Sequence, residues 1–344
     1  MRQLPKLAAC AAIASCVIAA PAAAQSPAEG QRVVDLGRST PLREYAGTLL
    51  FSRWDGSAYR LAIWRGGVTR DLAVPPQSRP FDADIGPDSR GRASAAVSFC
   101  RGSCDLFVIG FDAGDQLRPV NNANTTGRDE IAPTVWKGRL AFGRRYGKDL
   151  VVPYTKLLKA PRSRPSDRVG SLPRQRCDRD GCRRLLNQDL KAMDLWGRWI
   201  AQSWTHGDPG PGSFQNEIRL TNVRRTDTRQ IAAVTTGLSG QSYLGPAFTS
   251  GYVGFFRACQ GDPGGCNSGN SGAIRYRISG RRYEIAGDNE SWSSWTLASR
   301  GTDYHVPSAF ACGGGDPGFP PRAQCGIYRR TGLQWTNIDE ERIR

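Results

Sequence analysis

The sequence has very little histidine. Its 344 residues include only two, His206 and His305. A general-base histidine needs a nucleophile and an orienting acid beside it. The chain contains no G-x-S-x-G, H-E-x-x-H or P-loop motif that would supply such a group. We therefore interpret both histidines as structural, keep His206 as a candidate for a ligand-binding face, and assign no catalytic residue.

Long hydrophobic runs are also missing after the first residues. Arg2 and Lys6 precede a short apolar stretch, and Ala22–Ala24 supplies an A-x-A cleavage signal. This pattern predicts a secretory signal peptide over 1–24 and a mature chain that starts at Gln25. An alternative is a lipoprotein box that ends at Cys16. No later stretch is long and apolar enough to cross a bilayer, so we expect a secreted, periplasmic or envelope protein.

Cysteine, in contrast, is plentiful. Eight cysteines follow the predicted signal, and they fall into close pairs around Gly/Pro/Asp-rich loops. Export favours disulfides, and local pairing is the simplest of 105 connectivities. We expect these pairs to be Cys100/Cys104, Cys177/Cys182, Cys259/Cys266 and Cys312/Cys325. The unequal spacings and the scarcity of histidine argue against zinc.

The charge is strongly positive and comes almost entirely from arginine. The net charge is +16, only six of 47 basic residues are lysine, and removal of the predicted signal leaves +14. Such a surface attracts polyanions, although arginine-rich composition can also serve solubility alone. Because the chain is exported, we do not expect a nucleic-acid partner.

No helical period of 3.6 appears in the mature chain, but a repeat does. Glycines that precede short apolar runs occur at 47, 91, 138, 197, 251 and 301, at intervals of 44 to 59 residues. Each unit contains four extended segments separated by turn signals. The pattern predicts an all-β fold: a single six-bladed β-propeller over 40–344 after a lead-in at 25–39. The approximate blades are 40–74, 80–120, 130–190, 191–235, 243–287 and 291–340.

The tetrapeptide Gly-Asp-Pro-Gly occurs three times, at 207–210, 261–264 and 315–318. In each case it falls between the second and third predicted strands, where Asp-Pro-Gly suits a tight turn. These loops leave a propeller on the same face as the crossovers between blades. The carboxylates could therefore form a ligand face or a weak calcium site, at Asp208, Asp262 and Asp316.

The segment from Phe81 to Asp112 carries a resemblance. It reads FDADIGPDSRGRASAAVSFC followed by CDLFVIGFD, with Pro87, Asp88, Gly91 and Asp112 at the places of a Pro-Asp-x-x-Gly turn and a strand-ending aspartate. This resembles the TolB-like, WD40-like propeller repeat of exported bacterial proteins. The resemblance covers most of 40–340 and implies a fold but no catalytic residues. The D-x-D-x-x-x-D pattern of Asp82, Asp84 and Asp88 lacks the glycine and glutamate of an EF-hand, so we interpret it as structural.

The segment 156–184 is the most basic part of the chain. It holds ten basic and three acidic residues, and its prolines favour an irregular loop. It is a candidate polyanion-binding insertion, through Arg162, Arg164, Arg168, Arg174, Arg176, Arg183 and Arg184.

Together these features predict an exported, monomeric, non-catalytic scaffold that binds a protein or ligand. No cofactor is expected beyond the weak calcium possibility. Two alternatives stay open: a hydrolase or lyase that acts on extracellular polysaccharide at the propeller funnel, and a polyanion-binding module that uses 156–184. Residues 32–36 could close the ring as an added outer strand, or the last blade could close it alone.

Overall fold

The computed structural model describes the chain over 31–38, 40–111, 114–159, 164–178, 181–207, 214–225, 227–236, 241–249, 251–259, 272–286, 304–307, 325–330, 335–339 and residue 343. These residues form an all-β protein. No helix within the described ranges is long and apolar enough to span a membrane.

Five blades of four antiparallel strands follow one another along the chain. The first contains β2 (Leu42–Tyr45), β3 (Thr48–Trp54), β4 (Tyr59–Arg65) and β5 (Val68–Asp71). The second contains β6 (Asp82–Pro87), β7 (Ala93–Arg101), β8 (Ser103–Gly110) and β9 (Leu117–Pro119). The third contains β10 (Glu130–Trp136), β11 (Arg139–Arg145), β12 (Val151–Leu157) and β13 (Asp167–Arg168). The fourth contains β16 (Leu186–Trp196), β17 (Trp199–Gly207), β18 (Phe214–Asn222) and β19 (Thr228–Thr236), and the fifth contains β20 (Gln241–Thr249), β21 (Tyr252–Cys259), β22 (Gly272–Arg277) and β23 (Arg282–Ala286).

The remaining described strands lie outside these four-strand sets. A hairpin of β14 (Gln175–Asp178) and β15 (Gly181–Arg184) stands between the third and fourth blades. A three-stranded sheet consists of β1 (Gln31–Asp35), β25 (Gly326–Arg330) and β24 (Tyr304–Pro307), in that order. The last strand, β26 (Thr336–Ile338), pairs with β23 at the outer edge of the fifth blade.

The prediction of six four-stranded blades is therefore wrong, because the described residues form five. The sixth repeat unit is divided between two sheets. Its β24 and β25 pair with the N-terminal β1, whereas its β26 joins the fifth blade. Ile338 explains why β26 pairs with the fifth blade, since its side chain is buried against Tyr283 and Ile285 of that blade. The segment 32–36, proposed as an added strand, does supply β1, which pairs with β25.

The repeat glycine marks the turn between the first and second strands of a blade. Gly138 and the preceding Lys137 both have positive φ, at 74° and 46°. Two consecutive residues at positive φ form the type I′ turn, whose twist matches a two-residue antiparallel hairpin. Only glycine adopts this conformation without steric cost, which explains why the repeat could be detected through this residue.

The hydrophobic core lies between neighbouring sheets. Separate clusters join the first blade to the second, the second and third to the fourth, and the fourth to the fifth. A further cluster packs Val34, Leu36 and Ile327 against Leu42 and Phe51, which places the three-stranded sheet beside the first blade. Each sheet thus hides its apolar faces against the next one, as in radially stacked propeller blades.

The first strand of each blade is the innermost, and these strands contact each other in chain order. They begin at the face that carries the crossovers between blades and the loops between second and third strands, here called the loop face.

At the opposite face, aromatic side chains approach each other across the centre. The ring centroids of Tyr45 and Trp136 lie 6.2 Å apart, as do those of Trp136 and Trp196. The ring of Trp196 in turn contacts Phe248. Aromatic packing of this kind stabilises the centre of the ring at that end.

One disulfide of the expected set joins Cys100 to Cys104 and closes the tip of the β7–β8 hairpin. That pairing is confirmed. Cys177 and Cys182 face each other in the β14–β15 register, and both Cys182 and Cys325 are disulfide-bonded. Cys259 ends β21, while Cys266 and Cys312 lie outside the described residues.

Candidate ligand sites on the loop face

The innermost strands are tied together by polar side chains at matching positions. Asp84 Oδ2 accepts hydrogen bonds from the Thr134 hydroxyl at 2.6 Å and from the Val135 amide at 3.2 Å. Thr134 Oγ1 accepts the amide of Leu195 at 2.9 Å. One blade further along, Asp194 Oδ2 accepts the amide of Phe248 at 2.6 Å. These inter-blade hydrogen bonds give the buried carboxylates a structural role.

Asp82 and Asp88 have different surroundings from Asp84. Asp88 Oδ1 accepts the amides of Arg90 and Arg92, and Oδ2 accepts the Arg92 guanidinium at 2.7 Å. Burial opposes ionisation of Asp88, but these hydrogen bonds outweigh it and lower its pKa. Among the described residues, Asp82 Oδ2 accepts one hydrogen bond, from the Ala132 amide at 2.5 Å. Burial raises the pKa of Asp82 to about 6, against the opposing charges of Arg43 and Arg79. The three aspartates therefore do not form one metal site.

Because its folded-state pKa lies above the unfolded value, Asp82 costs stability as it ionises between about pH 4 and pH 6. We expect Asp82→Asn to raise the free energy of unfolding by about 1–2 kcal/mol at neutral pH and to leave it unchanged near pH 4. The full rise of the Asp82 pKa, from 3.8 to about 6, would correspond to a change in the free energy of unfolding of roughly 3 kcal/mol. We expect less, because the Asp82 side chain is only partly buried and retains some contact with water. Urea unfolding across this pH range measures the difference. Asp88→Asn is the matched control and should destabilise at neutral pH, since the pKa of Asp88 is lowered.

His206 lies in β17 and is completely buried. Its Nε2 is 2.8 Å from Glu217 Oε1, and Glu217 Oε2 accepts the Arg219 Nε at 2.6 Å. Its Nδ1 has no hydrogen-bond partner within the described part of the chain. Glu217 is also fully buried, so this cluster sits inside the fourth blade and not at an exposed ligand face. The candidacy of His206 as a ligand-face residue stays a prediction.

The other predicted loop-face residues are the three aspartates of the Gly-Asp-Pro-Gly turns. Asp208, Asp262 and Asp316 lie outside the described residues, although 208 falls between β17 and β18 and 262 between β21 and β22. His305 belongs to β24, in register with Arg329. Within the described ranges, no group of three His, Cys, Asp or Glu side chains could hold a metal ion.

A central cavity of about 200 Å³ opens among the beginnings of the innermost strands. Its walls come from the first, second, fourth and fifth blades, and its charged residues are Arg43, Asp82 and Lys191. The Lys191 side chain is half exposed, and its Nζ lies 2.5 Å from Asp189 Oδ2. Arg43 is 8% exposed, and its Nε is 3.6 Å from Asp84 Oδ1. The described surroundings give this Nε no hydrogen-bond partner.

A larger groove of about 580 Å³ lies at the third blade. One wall is the 146–150 loop between β11 and β12, and the other is the base of the β14–β15 hairpin. Asp149 joins the two walls, because its carboxylate accepts the Asn187 amide at 3.2 Å and lies 3.4 Å from Arg184 Nη2. At the base, Leu185 donates to the Arg174 carbonyl at 2.9 Å. We call this feature the basic groove.

The basic groove carries three cations and one anion, namely Lys148, Arg174, Arg184 and Asp149. Lys148 and Arg174 are exposed and have no ion-pair partner among the described residues, and the Arg184 side chain is 69% exposed. The buried Gln188 donates from Nε2 to the Pro173 carbonyl, while its Oε1 accepts nothing from the described residues. Lys148 and Arg174 are thus exposed cations on a surface whose two walls are linked by Asp149. Such a surface favours an anionic ligand.

The predicted basic insertion thus contributes only part of its arginines to this groove. Arg174 and Arg184 line it, whereas Arg164 lies 3.6 Å from Asp167 and Arg168 belongs to the exposed β13. Arg176 and Arg183 pair in the hairpin register, and Arg162 is not described. Lys148 and Gln188 were not among the predicted residues. The repeat register could have indicated Lys148, since it places YGK (146–148) in the loop between the second and third strands of the blade.

No protein-family model matches the chain, and no curated protein matches it. Solved structures with a similar fold include a puromycin-hydrolysing peptidase of Mycobacterium tuberculosis, with 11% identity over 92% of this chain and 54% of that one, at a TM-score of 0.46. The α-L-arabinofuranosidase Arb93A of Fusarium graminearum, in complex with an iminosugar inhibitor, matches with 10% identity over 88% of this chain and 96% of that one, at 0.46. TolB from Acinetobacter baumannii matches with 12% identity over 77% and 62%, at 0.43.

The chain spans about half the length of the puromycin-hydrolysing proteins that it matches. These likenesses concern the fold alone. The chain is a β-propeller, and structures similar to it include TolB and other propeller proteins.

Proposed function

We propose that this protein is a non-catalytic binding propeller of the cell envelope or extracellular space, and that its basic groove holds an anionic polymer. The groove carries this proposal, because its exposed cations outnumber its single carboxylate on a surface that the insertion and the 146–150 loop build together. A long-range field from such a surface raises the local concentration of a polyanion.

The structural roles of the buried ionisable side chains support a binding function. Asp84 and Asp194 accept hydrogen bonds from the next blade, and Glu217 holds His206 and Arg219 inside the fourth blade. These side chains stabilise the fold, so they are not needed to explain a reaction. The groove, by contrast, has polar groups with no described structural partner, which is the expected condition of a binding surface.

The test is to measure binding of the mature protein to an anionic wall polymer, such as a teichoic acid, with a neutral glucan for comparison. Removal of Lys148, Arg174 and Arg184 together, each to alanine, should weaken binding at least about 10-fold, since each cation near an anionic surface contributes on the order of 1 kcal/mol. Binding of the unmodified protein should fall steeply as salt rises.

The matched control removes the same charge from the opposite face, through Arg65→Ala, Arg90→Ala and Arg282→Ala. These three side chains are exposed in or beside the turns of that face. Equal losses in both triple variants would show that net charge alone acts, and would contradict the groove. Shortening of the polymer during incubation would contradict the non-catalytic role.

A further inference from the structure

Arg43 in the central cavity has an unusual environment for a buried arginine. Its only hydrogen bond to a described residue runs from Nη1 to the Leu42 carbonyl, at a marginal 3.4 Å. Its ion pair with Asp84 is long, at 3.6 Å. A guanidinium has five N–H donors, so most of its hydrogen-bonding capacity is unused.

Two other largely buried arginines, with side chains 12% and 13% exposed, each have a close carboxylate partner. Arg144 lies 2.8 Å from Glu130, and Arg219 lies 2.6 Å from Glu217. Asp84 contacts Arg43 through Oδ1 at 3.6 Å, beyond hydrogen-bond distance, while its Oδ2 accepts hydrogen bonds from Thr134 and Val135 of the third blade. A buried cation with unused donors beside a cavity therefore indicates a missing anionic acceptor.

We propose that the central cavity binds a small carboxylate ligand, with the Arg43 guanidinium and the Lys191 ammonium holding its carboxylate. A carboxylate matches the planar fork of a guanidinium through two parallel hydrogen bonds. Lys191 lines the same cavity, and its ion pair with Asp189 occupies one of its three donors within the described part of the chain. This site is separate from the basic groove and does not depend on the proposed function.

The size of the cavity limits the ligand. Its volume of about 200 Å³ is below the roughly 300–1,000 Å³ of pockets that enclose drug-sized molecules. The occupant is therefore of the size of a hydroxy acid or a single sugar acid. The walls between the charged groups include Pro41, Phe81 and Ala192, which suit the carbon skeleton of such a molecule.

Asp82 makes the site sensitive to pH. Its neighbours are Arg43 from the first blade, Arg79 before its own strand, and Asp189 from the fourth blade. Protonated Asp82 can donate a hydrogen bond to a bound carboxylate, whereas ionised Asp82 repels it. The raised pKa of about 6 puts this change in an accessible range. Affinity should therefore be higher at about pH 5 than at about pH 7.5, by roughly 10- to 30-fold if only the protonated form binds.

The experiment is calorimetric titration of the full mature protein with glucuronate and lactate at both pH values, with glucose as the uncharged comparison. We expect binding of at least one of the two carboxylates, tighter at the lower pH, and no binding of glucose. Arg43→Gln should weaken carboxylate binding about 10-fold or more, because it removes the guanidinium that makes two parallel hydrogen bonds to the ligand. Asp82→Asn should abolish the pH dependence while it retains binding, which gives a second readout if Arg43→Gln folds poorly.

Three results would overturn the proposal: no binding of either carboxylate at millimolar concentration, glucose bound as well as glucuronate, or an Asp82→Asn variant with unchanged pH dependence. The Lys148, Arg174 and Arg184 triple variant is the control for the other site. It should bind the carboxylate normally, so failure of polymer binding in the groove and failure of carboxylate binding in the cavity can be told apart.

Discussion

Replacement of Glu217 by alanine should lower the free energy of unfolding by about 3–5 kcal/mol. The Glu217 carboxylate is fully buried and contacts both His206 Nε2, at 2.8 Å, and Arg219 Nε, at 2.6 Å. The alanine variant would leave the mostly buried Arg219 cation without this partner. Removal of one member of a buried ion pair is costly for that reason, even where the intact pair adds little net stability.

The matched control is Asp71→Ala, which breaks an exposed ion pair on the first blade. Asp71 Oδ1 accepts the Arg53 Nε at 3.0 Å, and both side chains are about one-third exposed. Water replaces such a contact easily, so we expect a loss of less than about 1 kcal/mol. Urea unfolding at neutral pH measures both variants. A Glu217→Ala loss as small as that of the control would show that the buried cluster is not a stabilising unit.

The pH dependence gives a second check on this cluster. Burial alone would raise the pKa of Glu217, but the hydrogen bond from His206 and the charge of Arg219 outweigh it and lower the pKa. A lowered folded-state pKa contributes stability above the unfolded value near 4.5, and this contribution is lost as pH falls through the folded-state pKa. The difference between the wild type and Glu217→Gln should therefore shrink in acid. A difference that grows in acid would contradict the assigned direction.

The sequence was informative where the structure depends on local rules. The turn glycines, such as Gly138, occupy positive φ because a two-residue hairpin requires it, and this requirement is visible in sequence as a repeat. The Cys100–Cys104 disulfide is similarly local, because both residues lie at one hairpin tip. The all-β class and the propeller architecture follow from these signals.

The number of blades could not be obtained in the same way. Ile338 belongs by sequence to the sixth unit, but it is buried against Tyr283 and Ile285 of the fifth blade. The pairing of β26 with the outer edge of the fifth blade depends on the apolar surface that this blade offers in the folded protein. A pattern of alternating residues predicts a strand but does not name its neighbour.

The candidate sites show the same limit. The basic groove needs the 146–150 loop to meet the hairpin base, and the link between them is the contact of Asp149 with Asn187 and Arg184. The Glu217 partner of His206 lies on the neighbouring strand, in a register that pairs Glu217 with Trp204 and His206 with Gln215. Charge density in the sequence indicated the insertion, but only the tertiary contacts select Arg174 and Arg184 from its arginines.

Replacement of Asp194 by alanine should cost about 2–4 kcal/mol and should act at the interface between the fourth and fifth blades. Asp194 is 2% exposed, and its Oδ2 accepts the Phe248 amide at 2.6 Å. The loss would leave that buried N–H without its charged acceptor, in a place where water cannot readily replace it. Because Phe248 also packs against Trp196, the effect should spread through the aromatic contacts at the centre.

Asp194→Asn is the matched control, since its side-chain oxygen can still accept the Phe248 amide while the charge is lost. We expect it to retain more than half of the stability that alanine loses. Hydrogen exchange of the β20 peptide locates the effect: the Phe248 amide should exchange faster in Asp194→Ala, while amides of the first blade, far along the ring, keep their protection. Equal stability of the two variants, or unchanged exchange at Phe248, would mean that blade contacts are held by apolar packing alone. The intermediate result, loss of stability spread evenly over all blades, would instead show that the ring unfolds as one cooperative unit once a single inter-blade hydrogen bond is removed.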